Sequence, residues 1–235
     1  MTRLFVSGSG TGVGKTLVTC ILIRQLRLAG REVRALKPVI SGFDPSVVAD
    51  SDTGRLLRAM DEPLDKAAIG SISPWRFSEP LSPDMAAARE GRRLDVGEIA
   101  GFCRYAGPAE DDAVVIAEGV GGVMAPLSEE ETVADWMTAL SWPVVLVAGS
   151  YLGTLSHTLT AVEAVKYRGL KLSGVVISQS ADSPVPFLET IGTVARFLAE
   201  TPVIGLPRHD TVRETIENLP NIAEALGLIG ARLEA

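Results

Sequence analysis

Short, uninterrupted apolar runs recur along the chain at Leu4–Val6, Val33–Leu36, Ala113–Ala117, Val144–Val147, Val175–Ile177 and Val203–Ile204. A strand with one wet face alternates apolar and polar residues. A continuous apolar run marks a strand covered on both faces, as in a parallel sheet. Between these runs, apolar positions return at helical spacing over Thr16–Ala29, Ser51–Ala59, Val96–Tyr105, Gly153–Tyr167 and Pro186–Glu200, and Ile222–Leu228 closes the pattern. Strand and helix alternate throughout. The pattern predicts an α/β fold with a doubly wound, mostly parallel sheet. No linker, repeat or low-complexity tract divides the chain, so one domain is expected over residues 1–235.

In such a sheet, ligands bind beyond the carboxyl ends of the strands. The residues after each run are therefore the candidates for chemistry. After the first run comes Gly8-Ser9-Gly10-Thr11-Gly12-Val13-Gly14-Lys15-Thr16, directly before a helix. Strand, glycine-rich turn, Gly-Lys-Thr and helix together make a phosphate cradle of the P-loop NTPase type. Backbone N–H groups around Gly12, Val13 and Gly14 face the phosphates, Lys15 reaches the terminal ones, and the Thr16 hydroxyl can ligate Mg²⁺. The common Gly-x4-Gly-Lys-Thr spacing is missed by one residue. Ser9 stands where its first glycine would be, and Gly8 lies one step earlier.

The other strand ends add to this. Lys37-Pro38-Val39-Ile40-Ser41-Gly42 follows the second run, and Lys37 is either a solvated strand end or a cation placed over an anionic substrate. Glu118 ends a wholly apolar strand, where a carboxylate is costly to bury without a partner. It is either a structural ion-pair member or the acid that holds Mg²⁺ beside Thr16. Asp50, Ser51 and Asp52 precede a helix, so each is a possible cap, and Asp52 is equally a possible ligand.

Composition limits the alternatives. Hydrophobic residues make up 46% and charged residues 22%, enough for a real core, while a net charge of −7 and a pI near 5.0 exclude the basic face of a nucleic-acid binder. The longest apolar stretch, Trp142–Gly149, contains Pro143 and is far too short to span a bilayer. The first strand begins almost at the N-terminus, so no signal peptide is expected and the predicted location is cytoplasmic. Cys20 and Cys103 have no metal spacing and read as reduced packing residues. His157 and His209 lack partners at ligand spacing, and His157 reads as a helix-face packing residue. Trp75, Trp136 and Trp142 read as core or interface residues.

Taken in order, Gly8-x-x-Thr11-x-Val13-Gly14-Lys15-Thr16, Lys37-Pro38-Val39-x-Ser41-Gly42, Glu118-Gly119-x-Gly121-Gly122 and Gly153-Thr154-x-x-His157 resemble the dethiobiotin synthetases. Pro80-Leu81-Ser82-Pro83 with Ala86-Ala87-Ala88 resembles that family's substrate-side loop. The resemblance runs from residue 3 to about residue 207. It implies an ATP-dependent ligase of biotin synthesis that closes an imidazolidinone ring on 7,8-diaminopelargonic acid with CO₂, through a carbamate and a carbamic-phosphoric anhydride. It further implies Mg²⁺ on Thr16, Asp52 and Glu118, with Lys15 and Lys37 flanking the transferring phosphoryl group. Thr11, Ser41 and Ser82 would lie by the diamine, and Ser178, Gln179 and Pro207 by the nucleotide. In the homodimer it implies, backbone N–H groups around Leu152, Gly153 and Thr154 of the partner subunit meet the substrate carboxylate.

Two positions depart from the family pattern. Ser178, followed by Gln179, stands where the family usually has the Asn that reads adenine, which predicts relaxed base selectivity. Asp84 stands where His is usual after Ser-Pro. The nearest alternative is a nucleotide switch or binding module of the partition and cell-division ATPase type. Those proteins carry a second lysine at the position of Gly10.

Overall fold

The computed structural model describes residues 1–106, 112–181, 183–208 and 219–230. His209 and Arg232 lie outside the described residues. The strands are β1 (Thr2–Gly8), β2 (Val33–Leu36), β3 (Val39–Ser41), β4 (Trp75–Phe77), β5 (Val114–Glu118), β6 (Val144–Gly149), β7 (Leu172–Ser178) and β8 (Val203–Leu206). Six of them form one parallel sheet in the order β2-β5-β1-β6-β7-β8, and β3 and β4 pair separately, also in parallel. All six apolar runs are the strands of the main sheet. Their continuous apolar character has the expected cause, because every residue of β5 and β6 is buried.

The helices are α1 (Lys15–Leu28), α2 (Asp52–Ala59), α3 (Lys66–Ile72), α4 (Pro83–Arg89), α5 (Val96–Tyr105), α6 (Val133–Leu140), α7 (Thr154–Tyr167), α8 (Phe187–Phe197) and α9 (Ile222–Ala225). α1 packs beside α2 and α9, α5 beside α6, and α7 beside α8. The core therefore spans the whole sheet, and Trp136 of α6 closes edge-on to Phe5 of β1 with centroids 4.7 Å apart. Trp142 is also buried, and Trp75 meets Phe102 edge-on. Cys103 is buried and Cys20 half-buried, and burial pushes both thiols up to about 12. Neither forms a reactive thiolate at neutral pH. Among the described residues, no helix is long and apolar enough to cross a membrane.

Five elements have no counterpart in the periodicity: β3, β4, α3, α4 and α6. α3 and α4 are seven residues each, too short to establish a stripe. α6 reads Val-Ala-Asp-Trp-Met-Thr-Ala-Leu, and its buried stripe of Val133, Ala134, Trp136, Met137 and Leu140 spans only about two turns. Its available signal is the capping box, in which Thr132 and Asp135 bond reciprocally across the first turn.

Three local features aim the site. Gly14 adopts the left-handed region (φ 95°) as the cap of α1, and a Cβ there would lie 2.8 Å from Ser178 Oγ. Gly8 is the glycine on which the cradle depends, since a Cβ would crowd the Gly10 carbonyl and the stem of Lys15. Gly54 of α2 touches the preceding turn so closely that a Cβ would lie 2.0 Å from the Val48 carbonyl oxygen. That contact fixes where α2 begins.

Candidate active site

Strand register builds the centre. Leu36 of β2 pairs with Ala117 of β5, so the next residues, Lys37 and Glu118, meet just beyond the sheet edge. Their side chains are 2% and 0% exposed. Lys37 Nζ donates to Glu118 Oε1 at 2.7 Å and to the Gly119 carbonyl at 2.8 Å, and it lies 3.2 Å from Asp52 Oδ2. Burial pulls the Lys37 pKa down, but the carboxylates of Glu118 and Asp52 outweigh it and hold it above the ordinary lysine value. Lys37 is therefore a permanent cation at neutral pH. Glu118 Oε1 also accepts from Thr16 Oγ1 at 2.7 Å, whereas Glu118 Oε2 is buried with no partner.

The helix caps separate Asp52 from its neighbours. Ser51 is the N-cap of α2, its Oγ accepting from the Gly54 N–H at 3.1 Å. Asp52 is thereby freed from capping and turns to Lys37. Burial works to raise its pKa, but Lys37 and the Thr16 hydroxyl hold it below the usual carboxylate value. Asp50 sits exposed in the short turn Val48–Asp50, away from this cluster. Thr16, Asp52 and Glu118 thus bring three hard oxygen donors together, one of them an orphaned buried oxygen.

Lys15 is held over the loop, donating to the carbonyls of Gly10 at 2.9 Å and Gly121 at 2.6 Å. Its pKa is pulled down to about 8, first by burial and then by the neighbouring Lys37, against partial support from Glu118 and Asp52.

Three recesses adjoin along the carboxyl edge. The middle one, lined by Gly14, Lys15, Thr16, Lys37 and Asp52, is the phosphate recess. On one side lies a groove that gathers Gly12, Val13, Gly14, Ser178, Gln179 and Pro207, the residues the sequence assigns to the nucleotide. On the other lies a recess walled by Pro80–Pro83, Val120–Ala125 and α7, which includes Ser82. Thr11 and Ser41 line both this recess and the phosphate recess.

Some residues depart from the sequence expectations. His157 is not a packing residue: it is exposed, lines the substrate-side recess, and has Nδ1 2.9 Å from the Tyr151 hydroxyl. The buried stripe of α7 is Thr154, Thr158, Ala161, Val162 and Val165, which turns position 157 outward. Leu152, Gly153 and Thr154 line none of the three recesses of their own chain. Thr154 donates its N–H to the Tyr151 carbonyl and its hydroxyl to the Gly149 carbonyl, while the N–H groups of Leu152 and Gly153 have no partner among the described residues. Asp84 accepts from Ser82 Oγ in the first turn of α4 and does not line the recess. Gln179 Oε1 accepts from the Arg208 N–H at 3.0 Å, which ties the amide to that segment while leaving a second lone pair and the NH₂ group. Arg24 and Arg55 also line the nucleoside groove, and the sequence reading passed over both. The available signal is that Arg55 lies one turn beyond Asp52, on the same helix face.

The lowered Lys15 pKa has a measurable consequence. A bound polyphosphate favours the ammonium form, so binding takes up protons wherever free Lys15 is partly neutral. At pH 8 a nucleoside triphosphate should take up about half a proton on binding, falling to about a tenth at pH 7, and affinity should weaken as pH rises above 8. Calorimetry in buffers of different ionisation heat measures this. Proton uptake that stays at zero at pH 8 would contradict the placement of Lys15.

Solved structures share the fold. The septum site-determining protein MinD of Pyrococcus horikoshii, complexed with Mg-ADP, superposes with a TM-score of 0.52 at 18% identity, covering 94% of this chain and 88% of that one. A ParA family ATPase from Chlorobium tepidum gives 0.53 at 14% identity, covering 89% and 86%. At such identities the likeness is one of fold. A family model described as an AAA domain matches residues 2–216. The ATP-dependent dethiobiotin synthetase of Acidiphilium cryptum is 48% identical over 208 residues, covering 86% of this chain and 91% of the relative. That of Phenylobacterium zucineum is 46% identical over 210 residues, covering 89% and 90%. The synthetase of an Anaeromyxobacter strain is 37% identical over 230 residues, covering 96% and 98%. A phosphate cradle, a buried lysine between two carboxylates and relatives matched almost end to end agree: this chain belongs to the ATP-dependent dethiobiotin synthetase family.

Proposed function

We propose that the chain makes dethiobiotin by joining 7,8-diaminopelargonic acid and CO₂ across the boundary between its substrate-side recess and its phosphate recess. The observation that carries this is the adjacency itself: Thr11 and Ser41 line both recesses, and Lys37 stands buried in the second. Among the described residues lining the substrate-side recess only His157 is ionisable, so none of them is a carboxylate that would hold the diamine as ammonium ions. A neutral amine, with its lone pair free, is the form that adds to CO₂.

The first amine bonds to the carbon of CO₂ and loses a proton, giving a carbamate. A carbamate oxygen then attacks the γ-phosphorus of ATP, ADP leaves, and a carbamic-phosphoric anhydride results. The second amine attacks the carbonyl carbon, inorganic phosphate leaves, a proton is released, and the imidazolidinone ring closes. Lys15 and Lys37 face the transferring phosphoryl group, where charge spreads over the equatorial oxygens. Lys37 is already desolvated and fixed by Glu118, so it stabilises that charge without first reorganising. Thr11 and Ser41 hold the carbamate end of the substrate at the boundary.

Thr16, Asp52 and Glu118 would hold Mg²⁺, and the orphaned Glu118 Oε2 supports this assignment. Held there, Mg²⁺ would supply Lewis-acid stabilisation of the charge that develops on the transferring phosphoryl group. The working unit is a homodimer in which the partner subunit offers the free N–H groups of Leu152 and Gly153 to the substrate carboxylate. Leu152, with 77% of its surface exposed, suits such an interface. With Ser178 in place of an amide and Gln179 tied to the Arg208 N–H, adenine is read weakly, and ATP, GTP and CTP should serve within about tenfold of one another. A nucleotide switch is not favoured, since Gly10 offers no second lysine.

Two experiments test this. Phosphate release and dethiobiotin formation, followed with diamine, bicarbonate and ATP each omitted in turn, should both require all three. Phosphate release that continues without the diamine would point to a nucleotide switch instead. Asp52→Asn should raise the Mg²⁺ concentration for half-maximal rate about tenfold or more, with thermal stability nearly unchanged because Ser51 supplies the cap. An unaltered Mg²⁺ requirement would remove Asp52 from the metal site.

A further inference from the structure

Leaving Arg55 aside, the charged side chains in and behind the phosphate recess balance before any ligand arrives. Lys15 and Lys37 face Asp52 and Glu118, two cations against two carboxylates. A magnesium-bound nucleoside triphosphate is still dianionic, so the recess needs further positive charge. Lys15 and Lys37 are both assigned to the transferring terminal phosphoryl group, which leaves the phosphate nearer the nucleoside without a cation of its own.

Arg55 is placed to supply that charge. It lies on α2 one turn beyond Asp52 and lines both the phosphate recess and the nucleoside groove, so it stands where the two meet. Its side chain is exposed and makes no hydrogen bond or ion pair with any described residue. Arg24 of α1 lines the same groove, and both arginines are near enough to Cys20 to act on its thiol electrostatically. The base edge offers a weaker anchor, because Ser178 lacks the paired donor and acceptor of an amide.

We propose that Arg55 is a base-independent nucleotide anchor, its guanidinium taking the phosphate chain at the junction between recess and groove. This rests on the nucleotide reading of those two cavities. A planar guanidinium offers paired donors to phosphate oxygens, a geometry an ammonium cannot match. Asp52 and Arg55 then divide the work of one helix face, the first toward the metal and the second toward the phosphate nearer the nucleoside. Affinity gained this way does not depend on the base.

The test is calorimetric Kd for Mg·ATP, Mg·GTP and Mg·CTP with the wild type, Arg55→Ala and Arg55→Lys, at low and moderate salt. Arg55→Ala should weaken all three nucleotides by the same factor, about tenfold at low salt, and Arg55→Lys should recover part of the loss. The difference between wild type and Arg55→Ala should shrink as salt rises. Thermal midpoints of the free proteins serve as the folding control. Unchanged Kd values would make Arg55 an ordinary solvated arginine and overturn the proposal alone. A loss confined to ATP would overturn it too, by making Arg55 a reader of the base. If the wild type binds none of the three, the nucleotide reading falls and the anchor with it.

Discussion

A buried lysine is tolerated only with partners, and that constraint organises this protein. Lys37 and Glu118 lie where two parallel strands end side by side, almost without contact with water. Removing either partner would strand a charge in the interior, a loss on the scale of about 3–5 kcal/mol. The pair therefore ties the sheet edge, the phosphate loop through Thr16, and α2 through Asp52 into one network. It also leaves one Glu118 oxygen with nothing to bond. The interaction that secures the fold at this edge is the one that keeps a cation and a hard oxygen donor ready for phosphate chemistry.

The same edge separates two chemical environments. The phosphate recess is charged and stiff, its groups fixed by mutual hydrogen bonds. The recess walled by Pro80–Pro83 and α7 has His157 as its one ionisable lining residue among those described, an environment that the proposed neutral amines would require. Thr11 and Ser41 lie at the boundary, so small hydroxyl-bearing residues bridge two regions of opposite electrostatic demand.

Much of this was legible in the sequence, for identifiable reasons. Strands buried on both faces leave continuous apolar runs, and all six runs became strands of the main sheet. The cradle was legible because glycine, lysine and threonine at fixed spacing have few other uses. Whether Asp52 is a cap or is free for a ligand was not legible, because it depends on which residue caps α2. Only the backbone turn into that helix, closed by Gly54 against Val48, gives the cap to Ser51. α6 was hidden by the shortness of its eight-residue stripe, and β3 with β4 by their brevity. His157 was misread because the outward side of α7 is set by tertiary packing. Arg55 was missed because an arginine on an exposed helix face has no local mark of function. Its place at the junction emerges only when α2 meets the phosphate loop.

The central claim is that Lys37 acts as a preorganised cation on the transferring phosphoryl group, beyond its part in holding the fold. Lys37→Gln tests it most directly, because glutamine can still donate to Glu118 and so does not leave the carboxylate wholly unpartnered. Turnover and Mg·nucleotide Kd should be measured side by side on the folded variant. Turnover should fall by ~10²-fold, the scale of a lost electrostatic stabiliser, while Kd stays within about threefold. Near-normal turnover, or a loss carried entirely by Kd, would contradict the claim.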